Sequence, residues 1–296
     1  MAQREQFLAY LALVAVCIFW GTTYLAIRMA LEAIPPLWLV SGRFLLSGGI
    51  LTAAACLRRE WIPPGRDLWR SALYGVLILG IGNGALTFSE LYIASGLAGL
   101  FITFSPFWMV GIEALLPGGE RLHGPTLRGM LVGLAGAVLL LSPALAGDTN
   151  APSLLTGFLI LQAGMASWSY GSIAQRRLPT AASPLAVGAL HQLAAGLAFL
   201  PPALLGPAPP LIWDTRAYGA LLYLVFFGSI IGYTSYFYAL RHLPVALVSI
   251  HNYVNCVVAV ALGWLFYREP FGMREALAMG TIFAGVAIVK RSASRR

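Results

Sequence analysis

The chain has 296 residues, of which 59% are hydrophobic and 10% charged, and its net charge is +8 at neutral pH. Soluble domains carry about 25% charged residues, so this composition excludes an ordinary soluble domain and indicates a membrane protein. The positive charge does not indicate nucleic-acid binding, because the basic residues lie between apolar segments and leave no soluble region to carry a basic face.

The apolar segments are continuous runs of roughly 20 residues, long enough to cross a hydrocarbon core as helices. Barrel strands would alternate apolar and polar residues, which these runs do not. The sequence therefore predicts an all-α integral membrane protein with ten transmembrane helices. In chain order the predicted spans are 7–27, 37–57, 70–90, 93–116, 126–143, 153–173, 184–206, 216–238, 244–266 and 273–290.

Arginine and lysine in the connections predict the orientation of these spans. If the N-terminus is cytoplasmic, fourteen basic residues fall in the cytoplasmic segments and four in the outer ones. Cytoplasmic connections of membrane proteins are enriched in these residues. We therefore expect a multi-pass protein of the cell membrane with both termini in the cytoplasm.

Matching residues recur at a separation of half the chain. The separation is 148 residues for Trp20 and Trp168, Pro36 and Pro184, Arg43 and His191, and Gly48 and Gly196. Residues 1–148 and 149–296 thus each carry five predicted helices. An odd number of spans makes the second copy enter from the opposite face, so we predict two inverted repeats around a central cavity, as in secondary transporters.

A family resemblance is carried by four segments. They are FWGTTYLAIR at Phe19–Arg28, SPFW at Ser105–Trp108, GGERL at Gly118–Leu122 and NCVVAVALGWLFYREPF at Asn255–Phe271. In this order they resemble the drug/metabolite transporter superfamily, EamA-type branch, over essentially the whole chain. The resemblance implies a fold of five plus five helices, a central cavity and transport of small organic solutes, often outward. The family usually has proline where this chain has Cys256, so a softer kink is expected there.

The ninth predicted helix places three polar residues at membrane depth. Asn255 lies roughly 16 Å along it, close to the midplane of a core about 30 Å thick. His251 and Asn255 share a helix face, and Asn252 lies beside them. Such a polar edge should face the interior or a wet cavity, so we predict that it binds substrate. Hydrogen bonding between helices is the alternative.

Helices three and eight each carry a polar stripe. The stripes are Asn83, Thr87 and Glu90 in helix three and, 146 residues later, Ser229, Tyr233 and Tyr236 in helix eight. In the inverted arrangement they would face across the axis and line the cavity. Glu90, and Glu113 in helix four, are candidates for proton coupling if burial favours their neutral form. A solvated Glu90 and an ion-paired Glu113 are the alternatives.

Aromatic side chains complete the predicted substrate site. Trp20 and Trp168 lie about 20 Å from the starts of their helices, too deep for interfacial tryptophans, and Tyr170 follows two residues after Trp168. Phe101 and Ser105 share a face of helix four. Aromatic walls stack on flat solutes and attract cations. Plain packing is the alternative.

Arg43 and His191 are interpreted as structural anchors, since Arg43 lies close enough to a helix end to snorkel; binding of a carboxylate is the alternative. Gly129 and Gly133 form a GxxxG face that allows close helix contact, either between the two halves or in a homodimer. The histidines and cysteines lack ligand spacing, so no metal or cofactor is expected.

These features predict a secondary transporter of small organic metabolites, such as amino acids or related amphipathic solutes, that works by alternating access and most plausibly exports. A facilitative exchanger and an importer of another metabolite are the alternatives. No phosphate-binding loop and no catalytic motif is present, which disfavours ATP drive and an intramembrane enzyme. A non-transporting scaffold would not need matched polar stripes. The expected partners are the solute and the lipid bilayer.

Overall fold

A computed structural model describes residues 2–119, 122–145, 152–206, 213–248 and 250–294. Within these ranges the chain forms ten long helices and no strand. The helices are α1 (Ala2–Ala30), α2 (Pro36–Leu57), α3 (Arg66–Ser89), α4 (Ser95–Leu115), α5 (Gly124–Leu145), α6 (Pro152–Arg177), α7 (Pro184–Leu205), α8 (Thr215–His242), α9 (His251–Tyr267) and α10 (Met273–Ser294). Each lies at one of the ten predicted spans, but α9 begins at His251 and not at the predicted residue 244, so Asn255 lies only about 6 Å along it.

Seven of these helices, in the part of the chain that the structure describes, are long and apolar enough to cross a membrane by themselves. They are α1 to α5, α7 and α8. The other three do not meet that combination of length and hydropathy, and α9 has only 17 residues. Large apolar side chains such as Leu131, Leu134 and Val138 point outward from α5, as lipid-facing side chains of a multi-pass membrane protein do.

Two helices contain a wide π-helical segment at matching positions. The segment is Val76–Asn83 in α3 and Leu224–Ile231 in α8, and the two begin 148 residues apart. Segments of this kind are rare and are frequently found at functional sites. The predicted polar stripes of these two helices are 146 residues apart, two fewer than the 148 residues between the starts of the π-helical segments.

Helices α4 and α9 differ from simple rods. α4 consists of Ser95–Ile102 and Ser105–Leu115, with Pro106 in the first turn of the second segment. Because proline lacks an amide donor, it interrupts the helical hydrogen bonds here. α9, in contrast, runs without interruption through Cys256, and a short helical turn, Val245–Val248, precedes it.

Helices α2 and α7 cross in close backbone contact. A Cβ added at Gly48 would lie 2.6 Å from the Leu193 amide nitrogen, and one at Gly196 would lie 2.7 Å from the Leu45 amide nitrogen. Leu193 and Gly196 follow Leu45 and Gly48 by 148 residues, so the contact is reciprocal, as between two copies related by a two-fold axis. Gly48 faces Leu193, whereas the earlier residue Leu45 faces the later residue Gly196, so α2 and α7 run antiparallel.

Helices α5 and α10 repeat this arrangement. A Cβ added at Gly285 would lie 2.5 Å from the Gly133 amide nitrogen, and one at Gly136 would lie 2.7 Å from the Ile282 side chain. Gly285 follows Gly136, and Ile282 follows Gly133, by 149 residues. This contact is therefore also reciprocal and antiparallel, and the glycine face predicted on helix five packs against α10 of the same chain.

The α2–α7 crossing gives a test of the packing. Because a methyl group at Gly48 or Gly196 would meet the facing backbone, we expect Gly48→Ala and Gly196→Ala each to lower stability by about 1–3 kcal/mol. Gly49→Ala is the matched control, since no atom lies within 4 Å of its added Cβ. Thermal unfolding of the purified variants measures the difference. Equal stability of Gly48→Ala and Gly49→Ala would contradict the close crossing.

Candidate functional site

Three rings from three helices meet inside the bundle and form what we call the Trp20 cluster. Trp20 of α1 lies 5.1 Å from Tyr236 of α8 and 5.4 Å from His251 of α9, and the last two rings are 5.5 Å apart, measured between ring centroids. These separations are those of favourable aromatic pairs. The cluster joins the two halves of the chain, since α1 belongs to the first and α8 and α9 to the second.

The π-helical segment of α8 fixes the Trp20 side chain. Its indole N–H donates a hydrogen bond of 3.0 Å to the carbonyl oxygen of Gly228, which lies in that segment. Gly232 follows directly after the segment, and a Cβ there would lie 2.4 Å from the indole nitrogen. The indole therefore depends on a glycine for its space and on a π-helical carbonyl for its orientation.

Hydrogen bonds at the start of α9 orient the other side of the cluster. His251 Nδ1 donates to the carbonyl oxygen of Val248 at 2.7 Å. With its side-chain amide turned so that the nitrogen faces these acceptors, Asn255 donates to the carbonyl oxygens of His251, at 3.0 Å, and of Cys17 on α1, at 2.8 Å. Asn255 is thus a buried link between α9 and α1. These bonds correspond to the hydrogen-bonding alternative of the sequence interpretation.

A second set of buried polar side chains, which we call the Ser229 network, connects α2, α7 and α8. Arg43 Nε donates to Ser229 Oγ at 2.8 Å, and Gln192 Nε2 donates to the Ser229 carbonyl oxygen at 3.2 Å. The hydroxyl of Tyr233 lies 3.0 Å from His191 Nδ1. Sequence reasoning missed Gln192, although a second polar residue beside His191 in an apolar helix was a usable signal.

The second predicted tryptophan, Trp168 of α6, packs against α3. A Cβ added at Gly82 of α3 would lie 3.1 Å from the Trp168 ring, and Asn83, the next residue, is half-buried. Trp168 and Trp20 both pack against one apolar cluster, which includes Phe44 and Ile78. The structure therefore brings both tryptophans to one region.

Three further predicted substrate residues lie in different surroundings, and their contact with substrate stays a prediction. Phe101 is fully buried in the main apolar core, with its ring 4.8 Å from that of Phe158. The Thr87 hydroxyl donates to the carbonyl oxygen of Asn83 in its own helix, at 3.0 Å. Tyr170 is 46% exposed and does not share the environment of Trp168.

Ser105 and Asn252 are half-buried at the starts of two helical segments. Ser105 begins the second segment of α4, and Asn252 is the second residue of α9, next to His251. Their predicted contact with substrate stays a prediction.

The two glutamates proposed for coupling lie in different surroundings. Glu113 makes ion pairs of 2.7 Å with both Arg176 and Arg177, which agrees with the ion-paired alternative. Glu90 is fully buried, so the solvated alternative is wrong. Its two carboxylate oxygens have no hydrogen-bond partner among the described residues, while Arg28 donates to its backbone carbonyl at 2.6 Å.

Glu269 ties α9 to the start of α4. Its carboxylate accepts hydrogen bonds from the Ser95 amide at 2.8 Å, the Ser95 hydroxyl at 2.8 Å and the Gly96 amide at 2.9 Å. A carboxylate is stabilised there by the free N–H groups and the dipole of a helix N-terminus. A Cβ at Gly263 would lie 2.1 Å from this carboxylate, so glycine is needed at that position.

Further contacts join the same end of the bundle. Glu32, after α1, pairs with Arg216 at 3.6 Å and accepts a hydrogen bond from the Tyr267 hydroxyl. The Arg216 guanidinium lies 5.3 Å from the Tyr267 ring centroid. We call this region, together with Glu269, the Glu269 end, and the opposite region around Glu113 and its arginines the Glu113 end.

Helix α4 contacts α9 at the Glu269 end. Its first segment packs on α9, where a Cβ at Gly99 would lie 2.7 Å from the Ala259 side chain. Its second segment packs on α6 and α10. The contact between α4 and α9 therefore holds these two helices together at the Glu269 end.

The described ranges hold no group of three His, Cys, Asp or Glu residues placed to bind a metal ion. The polar groups described above are suited to hydrogen bonding and aromatic contact with an organic molecule.

Replacement of Glu269 tests the closing contact. Glu269→Gln keeps the size but turns an NH2 group toward N–H donors, so we expect a loss of about 1–3 kcal/mol in stability. A cysteine introduced at Ala94 should also react faster with a membrane-impermeant maleimide in this variant, once the native cysteines are replaced. Glu60→Gln, in the loop after α2, is the control. Unchanged stability and labelling in Glu269→Gln would show that this contact does not hold the end closed.

Comparison with known proteins bears on the function of this arrangement. The model of the EamA-like transporter family matches residues 7–142 and 155–291. The inner membrane transporter YedA of Escherichia coli strain K12 is 34% identical over 280 residues, covering 94% of this chain and 89% of that protein. The aromatic amino acid exporter YddG of Ancylobacter novellus is 33% identical over 172 residues, 58% of this chain and 59% of that protein.

A solved crystal structure has the same fold. It superimposes with a TM-score of 0.66 at 25% sequence identity and covers 97% of this chain and 98% of its own. The family model matches most of both halves, and YedA is 34% identical over 89% of its own length. The chain therefore belongs to the EamA-like transporter family.

Proposed function

We propose that this protein exports amino acids or related amphipathic solutes across the membrane by alternating access between two inverted five-helix repeats. The observation that carries the proposal is the Trp20 cluster, in which aromatic and imidazole groups from both halves meet inside the bundle. Such a surface suits a solute with a flat or apolar part and a polar part. The name of the relative YddG, an aromatic amino acid exporter, supports the same class.

The inverted repeat is supported by three independent features. Equivalent helices pack antiparallel through reciprocal contacts at Gly48 and Gly196 and again at Gly136 and Gly285. The π-helical segments of α3 and α8 begin 148 residues apart. The family model also matches each half separately. Two copies related in this way provide two related packings, one open to each side.

The contacts at the Glu269 end favour a state that is closed on that side. The basic residues in the connections predict that this end faces outward and the Glu113 end the cytoplasm. In this orientation solute enters from the cytoplasm, as export requires. Rocking of the halves would then separate α4 from α9 and expose the Trp20 cluster to the outside.

Transport in proteoliposomes tests the function and its site. We expect the protein to carry labelled L-phenylalanine and L-tyrosine, and Trp20→Ala to lower the initial rate at least about tenfold, because loss of a buried aromatic contact costs about 1.5 kcal/mol or more. Trp264→Ala is the control, since Trp264 is 62% exposed. An unchanged rate in Trp20→Ala would exclude this cluster as the site. No flux of any amino acid by the wild type would refute the proposed solute class.

We further propose that Glu90 carries a coupling proton. An unpaired charge is costly to bury, and the charges of Glu269 and Arg28 both act on this carboxyl. Its environment therefore depends on whether the Glu269 end is closed. A proton bound there would link that end to the pH on its side of the membrane.

The coupling proposal is tested with Glu90→Gln, which fixes the neutral form. We expect solute exchange between equal concentrations to persist and the acceleration by an imposed pH gradient to disappear. Glu60→Gln serves as the control for loss of one carboxylate. Full acceleration in Glu90→Gln would assign coupling to another group, and absence of acceleration in the wild type would leave the protein a facilitative exchanger.

A further inference from the structure

Arg43 is a cation inside the bundle. It is the eighth residue of α2, so it lies about 10 Å along that helix at 1.5 Å per residue. Only 6% of its surface is exposed. A snorkelling arginine would reach solvent or lipid headgroups with its charged group, whereas this guanidinium turns toward α8.

Within the part of the chain that the structure describes, the charge of Arg43 has no counter-ion. Among the described residues no carboxylate oxygen lies within the 4.0 Å of an ion pair; the ion pairs present there involve other arginines. Its contacts are the hydrogen bond from Nε to Ser229 Oγ and the ring of Phe44, whose centroid is 5.0 Å away. A buried charge is normally paired, so an anion is the missing element.

The free side of the guanidinium lies next to the Trp20 cluster. A Cβ added at Gly228 would lie 3.1 Å from Arg43 Nη2, and the carbonyl of the same glycine accepts the hydrogen bond from the Trp20 indole. The absence of a side chain at Gly228 thus lets the cation and the indole approach one residue of the π-helical segment.

The neighbouring helix α7 has further unpaired polar atoms. His191 Nε2 and Gln192 Oε1 are buried and have no hydrogen-bond partner within the described part of the chain. The other polar atoms of both side chains are engaged by α8. Unpaired buried polar atoms are costly, and they lie in the network that holds Arg43.

We propose that Arg43 binds the carboxylate of the transported solute, while the Trp20 cluster holds its apolar part. This assignment rests on the proposed function and deepens it. A guanidinium donates two parallel hydrogen bonds to a carboxylate, which a point charge cannot do. Ser229 holds Nε and so orients the two Nη groups; it is a positioning residue for this contact.

Binding measurements on purified protein in lipid nanodiscs test the assignment. The probes are L-phenylalanine, phenylacetate and L-phenylalaninamide, which lacks the carboxylate. We expect the wild type to bind the two acids at least tenfold more tightly than the amide. Arg43→Gln should lose this preference while its weak affinity for the amide is unchanged. Arg70→Gln, the same substitution at an arginine paired with Asp67 near a helix start, should behave as the wild type.

Two further variants keep the test decisive if Arg43→Gln does not fold. Arg43→Lys retains the charge without the planar fork and should keep part of the preference for acids. Ser229→Ala retains the arginine but releases Nε and should weaken acid binding several-fold, with amide binding unchanged. If Arg43→Lys and Ser229→Ala both keep the full wild-type preference, the assignment is overturned.

The same measurements separate this assignment from the proposed function. If phenylacetate binds the wild type and not Arg43→Gln, while no amino acid crosses proteoliposomes, the anion site stands and the solute class is wrong. If L-phenylalanine is transported equally by the wild type and Arg43→Gln, transport stands and the anion site is refuted. Absence of any preference for acids in the wild type also refutes the site.

Discussion

The close crossing of α2 and α7 is the constraint on which the rest of the bundle depends. At Gly48 and Gly196 each backbone lies against the other helix, with no room for a Cβ. In lipid, where apolar side chains gain little by leaving the solvent, such close packing is a main source of helix association. The crossing also brings the Ser229 network together, because Arg43 and His191 each lie five residues before the glycine of their own helix, Gly48 and Gly196.

Some polar groups in the bundle have a full set of hydrogen-bond or ion-pair partners, and others do not. Asn255 is satisfied by two backbone carbonyls and links α9 to α1, and Glu113 by two arginines. Arg43, His191 and Gln192 are only partly satisfied. In a bilayer such groups are expensive and are typically functional. The incomplete network, rather than the most polar stretch of sequence, is therefore where a ligand would add the most hydrogen bonds.

Hydropathy alone predicted the ten helices and most of their bounds, because length and apolar composition are sufficient in lipid. It could not predict the π-helical segments, whose wider turns change which residues share a face. The polar stripes of α3 and α8 were predicted from regular α-helical spacing. In the structure the Thr87 hydroxyl donates to a carbonyl oxygen of its own helix. Tyr170 was assigned with Trp168, but residues two apart on a helix do not face the same side. Arg43 and Trp20 lie on helices far apart in sequence from Gly228, so their proximity required the tertiary structure.

In the proposed mechanism, the contacts at the Glu269 end and the incomplete network near Trp20 act together. Opening that end would separate Glu269 from three hydrogen-bond donors, and a hydrogen bond to a charged acceptor makes a net contribution of about 1.5–3 kcal/mol. A solute can shift this balance only if it interacts differently with the two states. A solute that contacts Arg43 and Trp20 in the first half and Tyr236 in the second spans both moving parts. If the halves rock as proposed, the contacts of the solute would change, and a bound solute could then alter the balance between the two packings.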